Sequence, residues 1–132
     1  MSYDAERSEL EAVIEASGPV GVPVGYDGQR FDAVAPSIEM TILSGNAFQA
    51  SYGAPGSNLV RYVGIVVFKI RTAGGAGSIT ARGYAETIKT AYINNTLATV
   101  KCGIPYLQNT LQEAPFYSLN VIVPFTRDAF EA

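Results

Sequence analysis

The run LVRYVGIVVFKIR, residues 59–71, limits the fold more than any other stretch of the chain. Its even positions, Val60, Tyr62, Gly64, Val66, Phe68 and Ile70, carry no charge. Its odd positions place Val63, Ile65 and Val67 at mid-length, with Arg61, Lys69 and Arg71 towards the ends. Side chains alternate across a strand. The pattern therefore predicts a central strand, covered on both faces in its middle and wet at its ends.

The rest of the chain is read around that strand. Residues 37–44 alternate Ile38, Met40 and Ile42 with Ser37, Glu39 and Thr41, as a sheet wet on one face does. Residues 45–58 are small and polar and hold Gly53, Pro55 and Gly56. They predict a long β-hairpin whose strands run out past the body to a Gly-Ala-Pro-Gly tip. A helix is predicted over 3–16, with Leu10, Val13, Ile14 and Tyr3 on one side, Ser2 as N-cap and Gly18-Pro19 as the stop. Residues 22–26 suggest a short strand. Ser78 is placed to cap a second helix reaching Ile93, its buried side marked by Ala81, Tyr84, Ala85, Ile88, Ala91 and Tyr92, and closed by Asn94 and Asn95. Residues 97–113 read as short polar strands with Pro105 at an edge. Residues 116–125 form the last strand, and 126–132 a short tail. The expected fold class is α+β: a single twisted, mixed or antiparallel sheet, two helices packed on one face, and a projecting hairpin. Residues 1–132 form one domain, with no internal repeat.

Charge narrows what such a domain can do. Charged residues make up 16% of the chain, against ~25% in ordinary soluble domains; other subunits covering part of the surface would account for this, as would a weakly charged monomer. The net charge of -3 is concentrated in the first fifteen residues, where Asp4, Glu6, Glu9, Glu11 and Glu15 face only Arg7. No basic stripe exists for phosphate binding, which argues against DNA recognition. The acidic N-terminus is not a signal peptide, and the longest strongly apolar run, 63–68, is far shorter than the ~20 residues of a bilayer span. Both predict a soluble protein made in a cytoplasm.

Catalytic chemistry finds little support. The chain has no histidine and one cysteine, which removes Ser-His-Asp and Cys-His centres, imidazole sites and thiolate clusters. Cys102 reads as a buried structural thiol. Asp27 and Asp32 flank Gly28-Gln29-Arg30-Phe31 and could hold a metal or act as an acid–base pair; aspartates that bond their own turns explain them more simply. The Gly74-Gly75-Ala76-Gly77-Ser78 run sits between strand and helix, as phosphate loops do, yet lacks the lysine of a Walker loop and the dinucleotide spacing. It reads as a connector. Asn94-Asn95-Thr96 matches a glycosylation acceptor by chance. Of eight tyrosines, Tyr62, Tyr84, Tyr92 and Tyr117 fall on buried faces, and Tyr52 is exposed near the hairpin tip. No cofactor and no enzyme activity are expected.

The order of these pieces carries a resemblance. An acidic first helix is followed by "GVPVGYDGQRF", "PSIEMTILSGNAFQASYG" and "LVRYVGIVVFKIRTAGGAG". The helix "SITARGYAETIKTAY" and the closing "FYSLNVIVPF" complete the series. Together, over residues 5–126, these resemble the tail terminator family of siphophages and phage-derived gene transfer agents. The resemblance implies a virion protein at the tail–neck junction: a six-membered ring that caps the tail tube, stops tube polymerisation and joins the head, with DNA passing through its bore. It implies contacts with further copies of itself, the major tail tube protein, the tape measure protein and a neck connector. Phe48, Tyr52, Asn58 and Arg61 are the expected ring or tube contacts, and an acidic helix facing the bore would repel DNA phosphates. The alternatives are a head–tail connector or stopper, another tail tube component, or a small-ligand binding domain or carboxylate enzyme around Asp27 and Asp32.

Overall fold

A computed structural model describes residues 3–19, 21–26, 36–53, 58–73, 79–109 and 116–130. The chain runs α1 (Tyr3–Ser17), β1 (Val24–Gly25), β2 (Ser37–Gln49), β3 (Leu59–Ala73), α2 (Ile79–Tyr92), β4 (Val100–Cys102), β5 (Tyr106–Asn109) and β6 (Phe116–Phe130). The strands form one mixed sheet in the order β1-β2-β3-β6-β4, with β5 also on β6. Among the described residues, β1 and β2 run parallel and the other pairs are antiparallel. The α+β class and the central place of β3 match the sequence reading.

Both helices cover the face that carries the even positions of β3. Leu10 and Ile14 of α1, one turn apart, meet Ala81, Ala85, Ile88 and Tyr92 of α2 and Ile38, Met40, Val66, Phe68, Ile70, Leu119, Val121, Val123 and Phe125 of the sheet in one core. The alanines of α2 let its backbone approach closely, and the Phe68 and Tyr92 rings pack at 5.2 Å. The Tyr92 hydroxyl donates to the Leu10 carbonyl at 2.6 Å, tying the helices together inside the core. At the end of α1 the Gly18 N–H reaches Ile14 O at 2.9 Å. Asn94, at φ 49°, turns the chain out of α2 in the left-handed conformation that asparagine tolerates.

Three expectations need correction. The odd face of β3 is not covered at mid-length: Val63, Ile65 and Val67 are half-buried, since both helices lie on the other side. Residues 126–130 are not a tail but continue β6, paired with β3 from Thr126↔Val63 to Phe130↔Leu59. They look polar in sequence because their stabilising partners come from elsewhere in the fold. The strand over 22–26 shrinks to the two residues of β1. Ser2, the whole run Gly74-Gly75-Ala76-Gly77-Ser78, and Asp27 and Asp32 lie outside the described residues, as do residues 54–57 of the expected hairpin tip.

Candidate assembly surface

β2 and β3 stay paired out to the turn, with β6 beside β3 as far as Leu59 and Tyr3 of α1 against Tyr62. Their register runs from Ser37↔Arg71 to Ser44↔Gly64, shifts between Ser44 and Ala47, and resumes to Gln49↔Val60. Gly64 sits where a Cβ would lie 2.8 Å from the Leu43 carbonyl and 2.8 Å from the Phe125 ring. Only glycine fits there, and the strands stay close just before the irregularity. The shift changes which residues of β2 share a face: Leu43 opposite Ile65 and Phe48 opposite Arg61 both fall on the face away from the helices.

The turn is held by its own polar groups. Ala50 N–H donates to Leu59 O at 2.7 Å, and Leu59 N–H donates to Ser51 Oγ at 2.7 Å. The Gln49 side-chain amide donates to Ser51 O at 2.9 Å. Gly53 takes a φ of 103° that other residues rarely adopt. From residue 40 to residue 60 the sequence holds no charged side chain. Residues 43–48 are all exposed, Phe48 by 50% and Tyr52 by 80%. The arm is thus a neutral projection with two aromatic rings in water.

Of the four expected contact residues, Phe48 and Tyr52 stand free on the surface. Arg61 is half-exposed and engaged opposite Phe48, where its Nε and Nη2 grip Asp128 at 2.8 and 3.0 Å. Those hydrogen bonds hold the Asp128 carboxyl below its usual range. Asn58 is 6% exposed in the single chain, so it offers little surface to a partner there.

Where β6 runs beside β3 at Tyr62, a buried ionic clamp anchors α1. Arg127 Nε donates to Glu6 at 2.9 Å, with both side chains no more than 3% exposed. The guanidinium lies 4.3 Å from the centroid of Tyr62 and 5.3 Å from that of Tyr3, and the two rings meet edge-on at 5.7 Å. Three more acids of α1 are used within the molecule. Glu9 accepts from the Thr99 N–H at 2.7 Å and from the Thr99 hydroxyl. Arg7 bridges Asp4 at 2.9 Å and Glu11 at 2.8 Å. The acidic first helix therefore directs most of its charge inward. The sequence reading missed this clamp, although one signal was present: Arg127 falls in phase with the buried positions Val123 and Phe125.

The sheet face away from the helices carries Leu43, Val63, Ile65, Val67, Ile122, Pro124 and Tyr106 in adjoining rows of the ladder. Leu43 is 49% and Tyr106 54% exposed. Cys102, buried as expected, has its thiol pushed up to about 11 by desolvation, which keeps it protonated and unreactive. Among the described residues no group of three or more acidic or cysteine side chains is placed to hold a metal ion.

The fold has a solved counterpart. A chain of known structure superposes with a TM-score of 0.73 over 96% of this chain and 96% of its own, at 14% identity, and bears no descriptive name. A likeness at that identity speaks for the fold alone. No protein-family model and no curated protein matches the chain.

Proposed function

We propose that this protein is a tail terminator: a structural virion subunit whose ring caps the tail tube, stops its growth and offers the joining surface to the neck. The observation that carries the reading is the uncharged arm, built on β2 and β3 and displaying Phe48 and Tyr52 to solvent. A monomer gains nothing from holding aromatic rings in water, whereas subunit contacts are built on such side chains. The half-open apolar sheet face adds a second surface suited to protein neighbours. The resemblance over residues 5–126 supplies the rest of the proposal: a hexameric ring, the tail tube, tape measure and neck partners, and DNA in transit. No catalytic step is assigned, and the protein's place is the tail–neck junction of a phage or gene transfer agent particle.

Terminating a polymer requires a subunit that pairs with the tube end yet presents no equivalent face to the next ring. Closed heterologous contacts supply such asymmetry. The inward-directed acids of α1 speak against that helix as an electrostatic lining of the bore, so free passage of DNA rests in this proposal on the absence of a basic stripe.

The test is the solution mass of the purified chain with negative-stain images, followed by its addition to polymerising tail tube protein. Rings of about six copies that halt tube elongation are the expected result. A compact stable dimer, or tubes that lengthen unchanged in its presence, would overturn the proposal.

A further inference from the structure

A groove of about 280 Å³ opens between α2 and β5, walled by Ala85, Pro105, Leu107 and Val121, with Tyr106 at one side and Glu86 and Lys89 on its rim. Pro105 and Val121 are buried, while Leu107 is 41% exposed. The rim charges are one acid and one base on adjoining positions of α2, so the groove is close to neutral overall. It suits a ring with one polar end, whose apolar body meets proline and leucine and whose hydroxyl reaches Glu86 or Lys89.

The arm and this groove occupy diagonally opposite corners of the sheet. Across the sheet, β2 and β5 are separated by β3 and β6, three strand steps or roughly 14 Å. Along β6 the turn end of the arm lies at Phe130↔Leu59 and the groove at Val121↔Leu107, nine residues or roughly 30 Å apart. The arm cannot fold back into the groove of its own chain. A second copy can bring its arm there, and the contact made is heterologous: each copy gives an arm at one corner and receives one at the other.

We propose that Tyr52 at the end of the arm seats in the α2–β5 groove of a neighbouring copy and so links the subunits head to tail. Charge matching favours this occupant: a segment without charge over residues 40–60 meets a groove whose two rim charges cancel, which gives no hold to DNA or to a strongly acidic peptide. The inference deepens the terminator reading and rests on its premise that copies associate.

The test places cysteines at the two ends of the contact. Tyr52→Cys and Leu107→Cys are made singly and together in the full chain and treated with a short bis-maleimide; native Cys102 is buried and stays silent. Each single variant alone is expected to give no covalent dimer, their mixture a heterodimer, and the double variant a ladder ending at the ring size. Tyr52→Ala raises the protein concentration needed for half-assembly about tenfold or more, Tyr52→Phe raises it less, and the far-UV circular dichroism of both matches the parent. Rings that assemble without the 52–107 link overturn the docking and leave the terminator reading standing. Covalent dimers from Tyr52→Cys alone overturn it in favour of an arm-to-arm contact. A chain that stays monomeric at every concentration, with no cross-link, overturns the docking and the ring together.

Discussion

Replacing Arg127 by methionine is the sharpest probe of how α1 is held on the sheet. Arg127 and Glu6 are 2% and 3% exposed, so the variant leaves a carboxylate enclosed without its cation. Removing one partner of a buried ion pair costs about 3–5 kcal/mol, mostly the penalty on the charge left behind. That is a large share of the ~5–15 kcal/mol available to a domain of this kind. Glu6→Met should cost a similar amount, because it strands the guanidinium between Tyr3 and Tyr62. The double variant, Glu6→Met with Arg127→Met, removes both charges and fills the site with apolar side chains. It should recover most of the loss, the more so because Arg127 Nη1 has no hydrogen-bond partner in the native clamp. Urea unfolding followed by far-UV circular dichroism gives the three values, and a double-mutant cycle isolates the coupling. Enclosure also shields the pair from salt, so the single-variant losses should persist at high ionic strength. Losses below about 1 kcal/mol for each single variant, or a double variant that loses the sum of both, would refute the reasoning.

Gly64→Ala should destabilise by about 1–3 kcal/mol, because its Cβ would collide with the Leu43 carbonyl and the Phe125 ring; an unchanged urea midpoint would refute the close approach. The Arg61–Asp128 pair is half in solvent and should behave differently from the clamp. Because Arg61 depresses the Asp128 carboxyl, the pair's contribution is present above the unfolded carboxylate value of ~3.9 and lost as pH falls through the lower folded value. Asp128→Asn should therefore flatten the acid limb of a stability–pH curve; an unaltered limb would count against the pair. Cys102, with its thiol pushed up to about 11, should resist thiol reagents at pH 8 in the folded chain and react at once in denaturant. Rapid labelling without denaturant would show that the β4 corner opens.

The elements with a plain period were legible without coordinates. β3 announces itself because thirteen residues alternate without a charge on one face, and α2 because Ala81, Ala85, Ile88 and Tyr92 return at helical spacing. The exposure of Tyr52 and the burial of Cys102 follow from their neighbours in sequence. In these cases the chain's local pattern already states which side must leave water, and no distant partner can alter it.

Other features depend on residues far apart in the chain. Thr126 to Phe130 looks like a polar tail until Glu6, 121 positions away from Arg127, neutralises the charge in its middle and lets β6 run on beside β3. Asn58 looks like a surface contact in sequence, yet the folded chain buries it. The acidic first helix suggests a negative surface until Arg127, Arg7 and the Thr99 N–H take up its carboxylates. The placing of the groove and the arm at opposite corners of the sheet is likewise invisible in sequence, since α2, β5 and β6 line one corner and β2 with β3 builds the other. Hydrophobic periodicity is a local property and survives in one dimension; the fate of a charge depends on what lies within a few ångströms, and only the tertiary structure decides that.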